Sequence, residues 1–339
     1  MRHCKGPSVS GGGSGGGGTS EFVKVADTLN GQVAVWGLLV FNNEMYGCTA
    51  LKGCLFKWNG TDSWIELARS NLEMRALCVF NNKIYTVHYT TSGYGKLYEY
   101  DNAGSWVQKS TYGVQACTSL CVYNGKLYCT GKIGNLYEWD GVSEWVYVTA
   151  GVSQLGSKLC VHAGSLYLAI GFNAFPMLYK WNDVDTWLPI AYGETVLTPP
   201  YRIARSLYSY NGDLFEGCGD WSCVTKWNGA SKLIFQVAYE EASAGFPESF
   251  AALDGILYAG GYEGAGSGNA GMVAYDGSSW ETVASGILSQ NYLTGLCAFN
   301  SKIYASTSPN GYLLEYTPPI VSVGGSPGFR PGQIRGPCS

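Results

Sequence analysis

The sequence predicts an all-β protein, a seven-bladed β-propeller with four antiparallel strands in each blade. The main observation is a repeat: an apolar strand, a two-residue turn and a strand with an aromatic residue recur at intervals of 39 to 48 residues. A period in this range, built from short strands and Asn/Gly turns, is typical of propeller blades. The seven turns are Asn42-Asn43, Asn81-Asn82, Asn124-Gly125, Ala163-Gly164, Asn211-Gly212, Asp254-Gly255 and Asn300-Ser301.

Each repeat divides into four strands, which we name A to D in chain order. Strand A is apolar, as in residues 76–80, and the turn after it suits a tight hairpin to strand B. Strand C alternates, as in Leu-Tyr-Glu-Trp at 136–139, and this period of two places alternate side chains on opposite faces of a sheet. We expect the Trp residues near the start of strand D to pack neighbouring blades together, and not to form a cofactor site. They are Trp64, Trp106, Trp145, Trp187 and Trp280.

The seventh repeat ends at Tyr316 and lacks its strand D. The missing strand is found at the other end of the chain, because Glu-Phe-Val-Lys-Val-Ala at 21–26 resembles strand D of blade six, Ser-Trp-Glu-Thr-Val-Ala at 279–284. We therefore expect the N-terminal strand to complete blade seven and close the ring, which protects the sheet edge. The predicted organisation is a flexible Gly-rich arm at 1–20, a propeller at 21–316 and a Pro/Gly-rich tail at 317–339.

This pattern resembles the Kelch-like propeller superfamily across about residues 21–316. Kelch repeats usually carry a double glycine at the end of strand B, which only Gly260-Gly261 in blade six supplies, while the downstream aromatic and Trp positions are kept almost throughout. The resemblance implies an architecture. It does not by itself imply an activity, since propellers include both enzymes and binding proteins.

Charge and hydropathy argue against a nucleic-acid partner and against a membrane span. The net charge is −4, and setting aside the four cations of the arm and tail leaves about −8 on the propeller. A nucleic acid is therefore not an expected partner, because no basic groove is implied. The sequence has no run of about 18 apolar residues, so we expect no membrane span. The N-terminal residues also lack the apolar core of a secretory signal.

The predicted ring has two different faces. The A–B and C–D turns lie on one face and are nearly constant in length, whereas the B–C and D–A connections lie on the other face and vary. Binding residues tend to sit on loops carried by a rigid scaffold, so the variable face is the predicted ligand-binding face. Its aromatic rings and carboxylates suit stacking on a glycan or anchoring a protein, and the alternative is that the rings pack their own loops. The candidate ligand-binding residues are Tyr89, Tyr94, Phe172, Trp221, Phe246, Tyr262 and Glu263.

The cysteines support packing at one position and disulfides at others. Four of them share a slot near the end of strand A, where a thiol is expected to be a small buried hydrophobe. These four are Cys78, Cys121, Cys160 and Cys297. Two pairs flank B–C loops, and each could close a hairpin with a disulfide if its β-carbons meet at about 4 Å. These pairs are Cys48 with Cys54 and Cys218 with Cys223.

Cys4 and Cys338 lie in the arm and the tail, and either could pair within the chain or link two subunits. Disulfides would imply an oxidising location, so we expect an extracellular site or a virion surface. The connectivity of Cys117 and Cys129 stays open. Neither flanking pair has zinc-ligand spacing or a nearby His, so no metal is expected.

The sequence does not predict an enzyme. It contains only three histidines, which are scattered through the chain, and we assign no catalytic residue and no cofactor. The leading hypothesis is a structural or surface protein, a propeller subunit of an extracellular or virion assembly such as a filament, coat or tail. Its arm and tail would mediate self-association. The alternatives are a surface or receptor-binding module for a glycan or protein, and a propeller hydrolase acting on carbohydrate.

Overall fold

The computed structural model describes most of the chain as one all-β ring. The described residues are 22–28, 32–49, 51–89, 94–115, 117–131, 134–151, 157–172, 175–193, 204–218, 223–230, 232–237, 246–263 and 269–319. They form seven blades of four antiparallel strands, and the predicted seven-bladed β-propeller is therefore confirmed. Blades four and five also share one parallel contact between their D strands, Tyr192 opposite Lys232.

The strands of each kind occupy equivalent positions in successive blades. The A strands are Val35–Phe41, Glu73–Phe80, Ser119–Tyr123, Ser157–His162, Ala204–Tyr210, Phe246–Leu253 and Tyr292–Phe299. The B strands are Glu44–Thr49, Lys83–Tyr89, Lys126–Thr130, Ser165–Phe172, Asp213–Cys218, Ile256–Glu263 and Lys302–Ser308. The C strands are Cys54–Trp58, Tyr94–Tyr100, Leu136–Trp139, Phe175–Trp181, Cys223–Trp227, Asn269–Tyr275 and Leu313–Tyr316. The D strands are Trp64–Arg69, Trp106–Gln108, Val146–Thr149, Trp187–Gly193, Lys232–Val237, Trp280–Ala284 and Val23–Ala26.

Three short elements complete the described secondary structure. Val114–Gln115 adds a short strand to strand C of blade two. The 3-10 helices Leu51–Gly53 and Ile287–Ser289 lie in connections between strands. Among the described residues, no helix has the length and apolar character that a membrane-spanning segment needs.

The ring closes as predicted. Each A strand contacts the A strands of both neighbouring blades, from blade one round to blade seven and back, so these strands surround a central channel. Strand D of blade seven is the N-terminal strand, which pairs antiparallel with strand C of the same blade, Val23 opposite Glu315. Phe22 then packs on Tyr316 with ring centroids 5.4 Å apart. The described ends of the ring therefore meet on the face of the C–D turns.

The A–B turns explain why the repeat requires Asn, Asp and Gly. Both turn residues adopt positive φ, for example 50° and 58° at Asn42 and Asn43, and 45° and 73° at Asn124 and Gly125. Two successive left-handed residues match the twist of a two-residue hairpin, and these residue types tolerate that conformation best.

The repeated aromatic residues form the packing between blades. Between blades two and three, Trp139 lies 5.7 Å from the ring of Phe80 and 5.3 Å from that of Tyr85. Trp64, Trp145 and Trp187 are each buried near the start of a D strand. The four cysteines of the strand-A slot are buried as well. The packing roles predicted for these positions are confirmed.

A repeated ion pair lies beside the A–B turns, and the sequence analysis did not identify it. In blade three, Lys126 at the start of strand B bonds Glu138 of strand C at 2.7 Å, and the Tyr128 hydroxyl donates to the same carboxylate at 3.0 Å. Blades two and seven repeat this arrangement of Lys, Tyr and Glu. We call it the Lys–Tyr–Glu triad.

Blade one keeps the triad with its charges exchanged. Glu44 occupies the strand-B position and Lys57 the strand-C position, and their charged atoms are 2.8 Å apart. The Tyr46 hydroxyl again donates to the carboxylate, at 2.7 Å. The pair of opposite charges can therefore be carried either way round by strands B and C, although blades four and six do not have such a pair.

Candidate functional site

The candidate site is the mouth of the central channel on the face of the B–C and D–A connections. Residues from all seven A strands, together with Thr118 just before one of them, line a cavity of about 140 Å³ there. Most of the wall is backbone and small or aliphatic side chains. Its other described members are three aromatic residues and three charged ones, which are Trp36, Tyr208, Phe250, Lys158, Arg205 and Glu248.

A repeated β-bulge supplies several of these residues. In blade five, Ala204 and Ser206 face consecutive residues of strand B, Cys218 and Gly217, so Arg205 is an extra residue in the inner strand. Blade six has the same irregularity at Glu248, between Pro247 and Ser249. A bulge re-aims a side chain away from its place in the sheet, and bulges are frequent beside functional sites.

Blades one and seven carry the bulge at the equivalent place. Trp36 is the extra residue in blade one and Thr294 in blade seven. Blade two shifts register between Met74 and Leu77, at the same level of the channel. The backbone irregularity therefore recurs in blades one, two, five, six and seven, whereas the residue that occupies it changes from blade to blade.

The charged residues come from three successive blades. Arg205 Nη1 lies 3.4 Å from Glu248 Oε1, with 32% of the Arg205 side chain exposed and 12% of the Glu248 side chain. Lys158 Nζ donates to the carbonyl oxygen of Thr118 at 3.3 Å. Burial raises the pKa of Glu248, and the charges of Arg205 and Lys158 only partly offset that effect.

Hydroxyl groups next to the bulges join neighbouring blades. The Ser206 hydroxyl donates to the Pro247 carbonyl at 2.9 Å, and the Ser249 hydroxyl accepts from the Leu296 backbone N–H at 2.9 Å. The Thr294 hydroxyl donates to the Val35 carbonyl and so joins blade seven to blade one. These bonds hold adjacent walls together, so the charged and aromatic side chains stand on a rigid frame.

The described members of the predicted ligand-binding set lie on this same face, and none of them is among the described lining residues of the cavity. Six of the seven are strand residues near the loop ends and not loop residues, namely Tyr89, Tyr94, Phe172, Phe246, Tyr262 and Glu263. Tyr94 is 50% exposed, while the Tyr262 ring stacks on Tyr292 of the next blade at 5.2 Å. Phe246 and Tyr262 face each other in register. Trp221 lies outside the described residues, as do the side chains of Tyr89, Phe172, Phe246 and Glu263.

The sequence analysis missed the channel residues, although a signal was present. When the repeats are aligned on the end of strand A, the bulge level is the residue five positions earlier, and it is polar in six blades of an otherwise apolar strand. The aligned residues are Trp36, Arg75, Thr118, Ser157, Arg205, Glu248 and Thr294.

The structure does not join Cys48 to Cys54. Cys48 faces Leu55 in the register of strands B and C, so its neighbour Cys54 points to the opposite side of the sheet. Both are buried thiols, packed in different clusters on the two sides of blade one. Burial raises the pKa of Cys48 to about 12, which keeps it protonated and unreactive.

The other disulfide predictions are not decided. Cys218 and Cys223 face each other directly in the register of blade five, but the Cys223 side chain is outside the described residues. Cys4 and Cys338 also lie outside them. These two pairings stay predictions.

The protein is a seven-bladed β-propeller, as its central channel, its four-stranded blades and the closure of the ring by the N-terminal strand show. No family model matches the chain, and no curated protein sequence is significantly similar to it. Solved structures do resemble it in fold. The WD40 β-propeller domain of Doa1 has a TM-score of 0.66 at 10% identity, over 89% of this chain and 98% of that one.

Two further structures show how varied propellers of this shape are. Virginiamycin B lyase from Staphylococcus aureus has a TM-score of 0.68 at 10% identity, over 88% of this chain and 98% of that one. YCF48 bound to D1 peptide has a TM-score of 0.62 at 13% identity, over 89% of this chain and 96% of that one. Likeness at such low identity shows the fold alone, and the Kelch-like assignment is not confirmed by it.

Proposed function

We propose that this propeller is a non-catalytic binding module that holds a segment of a partner protein at the channel mouth. The observation that carries the proposal is the repeated bulge, which places a different residue at the same level of successive blades. A rigid frame with repeated geometry and varied chemistry suits recognition of one particular partner.

The composition of the cavity favours a protein segment. Trp36 is 39% exposed and lines the same cavity as the charged residues, and Trp and Arg are the residues that most often dominate binding energy at protein interfaces. YCF48, a propeller of similar fold, has been solved with a bound peptide. A glycan on the surrounding aromatic residues, such as Tyr94, is the second candidate ligand.

A hydrolase acting on carbohydrate has less support. Glycoside hydrolysis commonly uses two carboxyl groups about 5 to 10 Å apart. In the described wall of the cavity, Glu248 is the one carboxylate. The described residues also hold no group of three or more His, Cys, Asp or Glu side chains that would suit a metal.

The role in an extracellular or virion assembly remains part of the proposal. Phe22 and the residues after Tyr316 join the ring on the face of the C–D turns, opposite the channel mouth. Self-association through the arm and tail would therefore leave the channel mouth accessible. Size-exclusion chromatography of the full chain and of a 22–319 truncation tests it. We expect the full chain to elute as a larger species and the truncation to elute as a monomer. Elution of both proteins as monomers would contradict self-association through the arm and tail.

Binding at the channel is tested with random dodecapeptides displayed on phage and selected against the full chain. Selected peptides are then synthesised, and their affinities are measured by fluorescence anisotropy. We expect Trp36→Ala to weaken binding by about tenfold, as for an interface hot spot. The matched control is Tyr147→Ala, a similarly exposed aromatic residue on an outer D strand, which should leave affinity unchanged.

Two outcomes would overturn the binding proposal. One is a selection that yields no peptide above background. The other is a set of peptides whose affinity does not change in Trp36→Ala, because those peptides would bind elsewhere. Circular dichroism of each variant checks that the ring is intact.

A further inference from the structure

Among the described residues that line the cavity, the charged ones come from three successive blades. Lys158, Arg205 and Glu248 belong to blades four, five and six. The described wall from blades seven, one and two contains Thr294, Trp36 and Ala76, which carry no charge. A ligand in the cavity would thus meet the described charges on the wall of blades four to six and the Trp36 ring on the wall of blade one.

The charged side carries an excess of positive charge. Its described residues are two cations and one carboxylate, a net charge of +1. Interactions between charges at a partly buried wall are stronger than in bulk water, because the surrounding protein has a lower dielectric constant. The wall therefore favours an anionic group over a cationic one.

The two cations contact different partners. Lys158 reaches towards blade three, where it donates to the Thr118 carbonyl, and Arg205 reaches towards blade six and Glu248. The 3.4 Å contact of Arg205 with Glu248 is longer than the 2.7–2.9 Å of a strong charge-assisted bond. A second carboxylate can therefore compete for the Arg205 guanidinium, whose planar fork suits such a group.

We infer that the channel mouth recognises a carboxylate of the bound peptide, held between Lys158 and Arg205 while a neighbouring peptide residue packs on Trp36. This inference rests on the proposed binding function and names the chemistry of its ligand. The carboxylate belongs either to an Asp or Glu side chain or to the C-terminus of the partner. Glu248 then acts as an internal competitor for Arg205.

Two substitutions are expected to have opposite effects on the selected peptides. Lys158→Gln removes a cation and should weaken binding about three- to tenfold. Glu248→Gln removes the internal competitor and should tighten binding by a similar factor. A purely structural role for Glu248 would not produce tighter binding. Lys126→Gln removes the same charge as Lys158→Gln on the opposite face and is the matched control.

The two sources of the carboxylate are separated by peptide synthesis. One set replaces each Asp and Glu of a selected peptide by Asn and Gln, and a second set amidates the C-terminus of the same peptide. Because phage display can block the C-terminus, free peptides ending in Asp, Glu or Gly are compared directly. Loss of affinity in only one set identifies the source.

The outcomes separate the two levels of the proposal. Peptides that depend on Trp36 but show neither Asp/Glu enrichment nor a need for a free C-terminus would overturn the carboxylate inference alone. So would equal affinities for wild type, Lys158→Gln and Glu248→Gln. Absence of any Trp36-dependent peptide would overturn the binding function and the inference with it. Weaker binding at higher salt is expected, since ionic contacts are screened.

Discussion

The two faces of the propeller use one repeat in different ways. On the face of the A–B turns, both the geometry and the chemistry recur, as the Lys–Tyr–Glu triads of blades two, three and seven show. At the channel mouth only the geometry recurs. The same bulge carries Trp36 in blade one, Arg205 in blade five and Glu248 in blade six.

This difference distinguishes positions that stabilise the blades from positions that we propose to bind a partner. A polar contact that recurs in several blades serves each of them in the same way, so its function is local and structural. The exchanged charges of Glu44 and Lys57 fit that interpretation, because the pair survives although its members change strands. A repeated irregularity with varied residues makes no such common contact. Its side chains are therefore candidates for contact with a partner.

The largest expected loss of stability comes from a substitution next to the bulges, where blades five and six pack closely. A Cβ atom at Gly217 would overlap the Ser206 hydroxyl and the backbone carbonyl of Pro247. Because that carbonyl belongs to the next blade, relief requires a shift between blades. We expect Gly217→Ala to lower the free energy of unfolding by about 3 kcal/mol.

Chemical denaturation of Gly217→Ala measures this loss. Gly37→Ala is the matched control in blade one, since its Cβ would meet only Cys48 Sγ, at an ordinary contact distance of 3.4 Å. Equal stability of the two variants would mean that blades five and six are not packed as closely as described.

A second prediction compares the two buried histidines. His88, near the end of strand B and thus on the side of the channel mouth, stacks on Tyr98 with ring centroids 4.2 Å apart. Burial lowers its pKa to about 3. In the unfolded chain His88 takes up a proton as the pH falls through about 6.5, whereas in the folded chain it stays neutral. The free energy of unfolding therefore decreases as the pH drops below about 6.5.

Between pH 6.5 and 5 this loss is about 2 kcal/mol for His88. His88→Phe should remove that part of the pH dependence, as measured by urea unfolding at each pH. His162 lies at the A–B turn of blade four, where burial also lowers its pKa but Asp213 raises it. His162→Phe should therefore change the pH dependence of the free energy of unfolding less than His88→Phe does. An equal change in the two variants would contradict this difference between the histidines.

The smallest expected effect concerns the triads. Lys126→Glu in blade three would place two carboxylates together, and we expect a loss of about 1 kcal/mol. The double variant Lys126→Glu with Glu138→Lys recreates the arrangement of Glu44 and Lys57 in blade one. It should recover most of the stability in thermal unfolding. No recovery would mean that the strand carrying each charge matters.

Much of the fold could be predicted because its signals are local. The two residues of a turn such as Asn124-Gly125 are enough to predict its backbone conformation. Four residues of strand C are enough to predict, from their alternation, which side chains share a face. The closing strand at Val23–Ala26 was predicted from its likeness to another strand of the same chain.

The disulfide prediction at Cys48 and Cys54 failed for a reason that is not local. Their spacing along the chain suits a hairpin, but pairing of Cys48 with Leu55 puts the two thiols on opposite sides of the sheet. A change of one residue in register reverses the face of every side chain, and loop length alone does not determine that register. The equivalent residues in blade five, Cys218 and Cys223, do face each other.

The sequence by itself determined the number of blades, their strand order, the aromatic packing between them and the strand that closes the ring. Only the tertiary structure decided which residues line the channel. Arg205 and Glu248 become neighbours because each is the extra residue of a bulge in an inner strand, and the inner strands of blades five and six pack against each other. A bulge depends on pairing between strands and on crowding around the axis, which no short stretch of sequence records.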